Sequence, residues 1–160
     1  MELHRTKNDL SPETRQKVID LLNARLADAT DLKSQAKQAH WNVKGIHFFQ
    51  LHELFDQVAT AVEAHIDLIA ERVTALGGTA HGTIRVAAQR SSLNEYPQEI
   101  TDGADHVDAL STAMSDFGKN IRRNIDDTTE LGDADTADLF TEISREIDKL
   151  LWFVEAHIQS

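Results

Sequence analysis

The stretch HWNVKGIHFFQLHELFD, residues 40–56, decides the fold, because a glycine, Gly45, interrupts an otherwise helical pattern there. Apolar residues recur at helical spacing before it, over 18–36, and after it, over 51–76. Two long helices joined by so short a connection pack as an antiparallel pair. The junction also carries two histidines and a carboxylate, and such groups are costly to bury without partners. It therefore needs a chemical explanation as well as a structural one.

The first two helices have clear signals at their ends. The residues SPE at 11–13 supply an N-cap serine, a proline at the first helical position and an acid in the first turn, which predicts a helix over about 12–43. The second helix is predicted to end at Gly77-Gly78, because glycine is the preferred residue just beyond a helix C-terminus.

Two more helices are predicted from apolar periodicity over 107–125 and 139–158. The acidic segment DDTTELGDAD, residues 126–135, is interpreted as the short turn between them. Residues 77–101 contain Pro97 and lack sustained periodicity, so they are predicted to form a long connection with room for one short helix.

Short links within two helix pairs and one long crossover between them are typical of a ferritin-like four-helix bundle. The sequence thus predicts an all-α protein with a single domain over 1–160, in which 1–10 form a short N-terminal extension. No internal repeat or low-complexity tract divides it further.

The composition restricts the possible partners. A formal net charge of -11 disfavours attraction to nucleic acid or an anionic membrane and favours cations. There is no cysteine, so any metal ligands must be histidines and carboxylates. No apolar run approaches the roughly 20 residues of a membrane span, and the N-terminus has no signal-peptide core. We therefore expect a cytoplasmic protein without membrane contact.

Acidic residues and one histidine share a side of the second predicted helix: His52, Asp56, Glu63, Asp67 and Glu71. Steps of four and eleven residues return to nearly the same face of an α-helix. Asp56 and Asp67 nevertheless lie about 16 Å apart along the axis, too far to bind one ion. A regular acidic stripe is commonly a solvated helix face, so a metal site needs a geometry that brings its two ends together.

A two-fold axis supplies that geometry. If two copies of the second helix pack antiparallel, the His52 and Asp56 end of one meets the Asp67 and Glu71 end of the other, which makes two equal sites. His40 can join because the short connection brings the end of the first helix beside the start of the second. Imidazole and carboxylate ligands without thiolate suit Fe(II), with manganese, cobalt or zinc as possible occupants.

The remaining histidines lack a comparable set of partners. His65 lies on the apolar side of the second helix and is predicted to be a hydrogen-bonded core residue. Asp102 and His106 are interpreted as a capping and surface pair at a helix start. No ligand role is assigned to the others, which are His4, His47, His81 and His157.

The chain resembles the Dps family, the DNA-binding proteins from starved cells. The motifs that carry the resemblance are HW at 40–41, HELFD at 52–56 and DLIAE at 67–71. The likeness extends to SREIDKLLWFVEAHI at 144–158 and so covers nearly the whole chain.

The resemblance implies a hollow homododecamer that oxidises Fe(II), preferentially with hydrogen peroxide rather than dioxygen, and stores the ferric product as a mineral. It also implies that His40, His52 and Asp56 bind iron from one subunit, while Asp67 and Glu71 bind it from the two-fold partner. Zinc or manganese are possible substitutes.

Two further expectations come from the resemblance. Trp41 would lie beside the iron as a redox-active neighbour, although a buried aromatic that only packs at the helix end explains it equally well. Acidic residues at the start of the last helix would line a three-fold pore and draw cations inward; they are Asp133, Asp138 and Glu142. The competing interpretation is that Asp133 caps the helix and the other two face solvent.

Two other functions remain open at this point: a DNA-compacting architectural protein, and a bundle that holds zinc or manganese structurally. Direct DNA binding is expected to be weak or absent. The N-terminal segment MELHRTKNDL has a formal side-chain charge of zero, and members that condense DNA do so through lysine-rich tails. Association with the nucleoid and protection of DNA by removal of the reagents stay compatible with this expectation.

Overall fold

The computed structural model describes residues 3–159, which form a helical bundle without β-strands. The helices, in chain order, are α1 (Pro12–Asn42), α2 (Phe48–Ala75), α3 (Ile84–Arg90), α4 (Gly103–Glu130) and α5 (Ala134–Glu155). The predicted all-α fold, with four long helices and a short one in the crossover, is confirmed. Among the described residues, no helix is both long and apolar enough to cross a membrane.

The core lies between two helix pairs. α1 packs mainly on α2 and α4 mainly on α5, and the pairs meet where α1 contacts α4 and α2 contacts α5. Phe55, Phe117 and Phe140 fill the centre and are fully buried. Each such side chain contributes about 1.5–3 kcal/mol to folding relative to exposure. Burial of these apolar stripes fixes which polar side of each helix faces outward.

Helix ends follow the local signals in the sequence. The Ser11 hydroxyl accepts a hydrogen bond from the backbone N–H of Thr14, and Pro12 occupies the first turn. After α2, Gly77 has a φ of 86°, and a Cβ there would lie 2.7 Å from the carbonyl oxygen of His4. Only glycine fits this close approach, which allows the His4 N–H to bond the Gly77 carbonyl at 2.8 Å.

The long crossover is fastened to α1 by a buried carboxylate. Asp28 is fully buried and accepts hydrogen bonds from the backbone N–H of Ser92 at 2.7 Å and from the Ser92 hydroxyl. Its other oxygen pairs with Arg25 at 3.0 Å, and Asn120 of α4 lies 3.4 Å away. We name Asp28, Ser92 and Asn120 the crossover anchor. It holds the connection across the bundle instead of leaving it in solvent.

The prediction of an acidic turn over 126–135 is wrong for most of that segment. α4 continues to Glu130, and the chain turns only over 131–133, where Gly132 has a φ of 79°. The hydroxyl of Thr128 donates to the carbonyl of Asn124, one turn earlier. Threonine side chains satisfied in this way do not compete for the helical backbone, so acidic and threonine-rich composition did not end the helix.

Candidate metal centre

Two histidines from different helices form the centre of the α1–α2 junction, which we define as His40, His52 and Asp56. His40 lies in the last turn of α1, and His52 lies in the second turn of α2. Gly45, with a φ of 109°, turns the chain between them. Their rings are stacked with centroids 3.7 Å apart and planes 19° apart. The short glycine connection therefore brings together side chains twelve positions apart, as the sequence predicted.

The hydrogen bonds of these rings are reciprocal. The Nδ1 of His40 lies 2.7 Å from the carbonyl oxygen of His52, and the Nδ1 of His52 lies 2.8 Å from the carbonyl oxygen of His40. A carbonyl only accepts, so each Nδ1 must carry the proton. In the neutral ring, each Nε2 then keeps its lone pair. Backbone contacts of this kind orient histidine ligands and fix their tautomer in metal sites.

Asp56 adds a carboxylate that is held by a single cation. Lys37 Nζ donates to Asp56 Oδ1 at 2.6 Å, and both side chains remain partly exposed. The hydrogen bond to Lys37 holds the pKa of Asp56 below its usual value, and the charges of Lys37, His40 and His52 act in the same direction. The carboxylate is thus ionised at neutral pH and has an oxygen available for another cation.

Asp67 and Glu71 lie further along α2 and are exposed. Eleven residues of helix separate Asp56 from Asp67, which is about 16 Å. Within residues 3–159, no three histidines or carboxylates come close enough together to hold a metal ion. The assignment of Asp67 and Glu71 to the metal site of a neighbouring subunit therefore stays a prediction.

Three large apolar side chains close in sequence to the junction residues are exposed. Trp41 is 67% exposed, Ile46 is 90% exposed and Phe49 is 69% exposed. Trp41 does not pack into the core of its own subunit; its ring lies 5.6 Å from Lys37 Nζ. The interpretation of Trp41 as a buried helix-end aromatic is therefore wrong for the single chain. Exposed large apolar side chains of this kind are typical of an interface when they form one patch.

The predicted pore residues have two different environments. Asp133 is 2% exposed, caps α5 through the N–H of Thr136, and pairs with Arg72 at 2.8 Å. These bonds occupy it within its own subunit, which favours the capping interpretation. Asp138 and Glu142 are exposed on the first turns of α5. Their role in a pore stays a prediction.

His65 is the hydrogen-bonded core histidine that the sequence predicted. It is 1% exposed, and its Nε2 donates to Glu146 of α5 at 2.7 Å. The surface interpretation of His106 is wrong: this residue is 1% exposed and its Nδ1 lies 2.7 Å from the Tyr96 hydroxyl. Asp102 does cap α4, through the N–H of Ala104.

The sequence reasoning missed two features. Lys33 and Lys37 of α1 each pair with a carboxylate of the α2 stripe, Lys33 with Glu63 at 2.6 Å. Their spacing of four residues, three before His40, was the available signal. The pairing of Tyr96 with His106 had no such signal, because the two residues come together only when the crossover folds over α4.

The comparisons with known proteins agree with this arrangement. The model of the ferritin-like domain matches residues 19–160. The DNA protection during starvation protein of Agrobacterium fabrum is 47% identical over 159 residues, which cover 99% of this chain and 98% of the relative.

Solved structures agree as well. DpsC from Streptomyces coelicolor superimposes with a TM-score of 0.94 at 31% identity, over 99% of this chain and 92% of the other. The Dps protein of Vibrio cholerae O1, described as a member of a superfamily of ferritin-like diiron-carboxylate proteins, has a TM-score of 0.90 at 25% identity and 99% coverage of both chains. The chain therefore belongs to the ferritin-like family, within the Dps branch.

Proposed function

We propose that this protein is a ferroxidase and iron-storage protein. It oxidises Fe(II), preferentially with hydrogen peroxide, at sites formed between two-fold-related subunits, and stores the ferric product inside a hollow dodecamer. The observation that carries the proposal is the reciprocal bonding of His40 and His52. It leaves two oriented Nε2 lone pairs beside an ionised Asp56, and this donor set suits Fe(II).

Each residue of the junction would have its own role in binding and oxidising iron. His40 and His52 bind the incoming Fe(II) through Nε2, and Asp56 releases Lys37 to bind it through a carboxylate oxygen. The partner subunit's Asp67 and the partner subunit's Glu71 complete the site with two more carboxylates. Carboxylates favour Fe(III) over Fe(II), so the donor set assists electron loss. Two iron ions in one site supply both electrons that peroxide needs, and no hydroxyl radical is released.

The apolar surface supports the intersubunit site. Trp41, Ile46 and Phe49 are exposed next to the ligands, and a second copy packed there would bury them. The same contact would bring the Asp67 end of the neighbouring α2 toward His52. The stripe that cannot close within one subunit would then form two equivalent sites.

Ferroxidase assays on variants test the site. The double variant His52→Ala, Asp56→Ala should lose fast Fe(II) oxidation, because it removes one imidazole and one carboxylate. His81→Ala is the matched control: this histidine contacts Arg90 on the crossover and has no ligand role. The ferric absorbance after addition of peroxide to anaerobic Fe(II) is the readout, with circular dichroism as the check on folding. Equal rates in the parent and the double variant would refute the assignment.

A mixing experiment tests whether the site is shared. The double variant is dissociated and reassembled with an Asp67→Ala, Glu71→Ala variant. Random pairing should restore about a quarter of the parental sites, because about half of the dimers are mixed and each mixed dimer has one intact site. Labels on the two variants verify the mixing. If verified hybrids regain no activity, the ligands do not come from two subunits.

Iron entry is proposed to depend on Asp138 and Glu142. Both are exposed at the start of α5, and the negative field of neighbouring acids raises the local cation concentration. Asp138→Asn with Glu142→Gln should slow mineral growth at low iron while the assembly stays intact. Asp148→Asn, an exposed change on the same helix, is the control. Unchanged uptake at low iron would show that both residues only face solvent and have no role in iron entry.

DNA is proposed to be protected without being bound tightly. A shell of many chains multiplies the charge of -11, which repels the phosphate backbone. We expect no gel retardation of linear DNA at neutral pH and moderate salt without divalent ions. Protection against strand cleavage by Fe(II) and peroxide should persist, because removal of both reagents requires no contact with DNA. Tight, salt-sensitive binding would contradict this and identify a basic surface patch.

We also propose that the protein is located in the cytoplasm.

A further inference from the structure

The chain has one tyrosine, and its environment differs from that of an ordinary core residue. Tyr96 is on the crossover, 5% exposed, with its hydroxyl 2.7 Å from Nδ1 of His106. Its ring stacks on the imidazole with centroids 6.0 Å apart. Within residues 3–159 the hydroxyl has no other hydrogen-bond partner. One proton must lie between these two atoms; we take the Tyr96 O–H as the donor, which places the ring proton on Nε2, a buried nitrogen without a hydrogen-bond partner among the described residues.

The histidine is arranged to receive a proton. Burial lowers the pKa of His106, so the ring is neutral at physiological pH and Nδ1 keeps its lone pair. The carbonyl groups of Ile100 and Asn42 and the charges of Asp105 and Asp102 act in the opposite direction and would stabilise an imidazolium once it forms. A neutral acceptor with this surrounding suits a proton transfer that accompanies loss of an electron.

The pair lies close to the α1–α2 junction. Phe55, which precedes the ligand Asp56, is fully buried, and its ring centroid lies 6.4 Å from that of His106. Asn42, whose backbone acts to raise the pKa of His106, is two residues beyond His40. The segments that carry the proposed iron ligands therefore also lie near the histidine.

We propose that Tyr96, with His106 as its base, is an internal electron donor that completes the reduction of peroxide when a site holds only one Fe(II). This proposal rests on the proposed ferroxidase function. It concerns the condition in which iron alone cannot supply both electrons, and in which a hydroxyl radical would otherwise escape.

The step balances. One Fe(II) gives one electron to hydrogen peroxide, the O–O bond breaks, and Tyr96 gives the second electron. The phenolic proton moves to Nδ1 of His106. The products are Fe(III), two hydroxide ions, a neutral tyrosyl radical and a protonated His106. With two Fe(II) in the site, both electrons come from iron and Tyr96 stays reduced.

Electron paramagnetic resonance tests the proposal on the assembled protein. Samples with one Fe(II) per site, or with two, are mixed with hydrogen peroxide and frozen. We expect a tyrosyl radical at one iron per site and much less of it at two. Growth on ring-deuterated tyrosine should narrow the signal, and because the chain has a single tyrosine this identifies Tyr96 without any substitution.

Variants separate the redox role from a structural one. Tyr96→Phe should abolish the tyrosyl signal and increase the spin-trapped hydroxyl radical at one iron per site. His106→Gln can still accept the hydroxyl but cannot hold its proton, so radical formation should slow by roughly a hundredfold, the low end of what a positioned base contributes. Trp152→Phe, a change at an exposed aromatic of α5 with no role in the site, should leave the Tyr96 signal in place. A merely structural tyrosine would show none of these changes.

The outcomes distinguish the two proposals. Normal formation of Fe(III) at one iron per site without a tyrosyl radical overturns the role of Tyr96 and leaves the ferroxidase function standing. A radical of equal intensity in the parent and in His106→Gln overturns the role of His106 as base. Absence of Fe(II) oxidation in the parent at either loading overturns both proposals.

Discussion

Two carboxylates on neighbouring helices, Asp28 and Asp56, illustrate opposite uses of the same chemical group. Asp28 in the crossover anchor is fully buried and has partners on both oxygens. Asp56 in the α1–α2 junction is partly exposed, and among residues 3–159 only Lys37 pairs with it. A carboxylate whose lone pairs are all occupied by the protein has a structural role. A carboxylate with one flexible partner keeps the capacity to bind a cation.

The histidines repeat the comparison. His106 directs Nδ1 to Tyr96 inside the bundle, whereas His40 and His52 direct Nδ1 to backbone carbonyls at its edge. In the junction, backbone carbonyls bind Nδ1 of each ring and leave Nε2 for a metal ion. The number of unoccupied donor atoms, together with exposure, therefore separates candidate ligands from structural polar residues better than residue type does.

The largest loss of stability is expected from a substitution in the crossover anchor. Asp28→Asn should lower the free energy of unfolding by about 3 kcal/mol or more, because Arg25 would then be left largely buried without its counter-ion. Asp56→Asn, the same chemical change at an exposed pair, should cost less than about 1 kcal/mol. Urea unfolding at one fixed protein concentration measures both. Equal losses would remove the distinction between the two carboxylates.

A smaller loss of stability is expected from Tyr96→Phe. The change leaves the buried Nδ1 of His106 without its partner, which should cost about 1–3 kcal/mol in the free energy of unfolding. The exposed Phe49→Tyr, which adds a hydroxyl where solvent can reach it, is the control. Thermal unfolding with protein concentration held fixed is the measurement. An unchanged stability would show that the hydrogen bond is replaced by water.

The pH dependence of stability tests the burial of His106. Because burial lowers the folded-state pKa of His106, the unfolded chain binds more protons below pH 6.5. This contribution is complete above the unfolded pKa and is lost as the pH falls through the folded pKa. His106→Gln should therefore show a shallower loss of unfolding free energy on acidification than the parent. Parallel pH profiles in the two proteins would contradict the assignment.

The smallest expected effect concerns Lys37. In Lys37→Gln, the pKa of Asp56 should rise toward its ordinary value near 3.8, since the hydrogen bond from the ammonium is its largest cause. Because the folded-state pKa of Asp56 is lowered in the parent, its ionised form stabilises the protein above the unfolded-state pKa. This stabilisation is lost as the pH falls through the folded-state pKa. Carbon NMR of the carboxyl group measures the shift. Lys33→Gln, which affects Glu63 instead, is the control.

Much of the candidate site could be predicted from the sequence because it depends on helical spacing. The step from His52 to Asp56 is one helical turn, and Gly45 marks the turn that brings His40 beside His52, whereas the role of Asp67 and Glu71 stays a prediction. Lys37 could have been found in the same way. The contacts of Asp28 and Tyr96 could not, because Asp28 bonds Ser92, 64 residues away, and Tyr96 meets His106 only when the crossover folds over α4.

Local steric preference and a period of 3.6 residues are enough to predict from the sequence the four long helices, the glycine turns and the face of α2 that carries the carboxylates. Tertiary structure alone decided which polar groups are saturated. It buried Asp28 and Asp133 among fixed partners, and it extended α4 through residues whose composition favoured a turn. The physical reason is that desolvation and hydrogen-bond pairing depend on what packs against a residue, and periodicity shows only which way that residue faces.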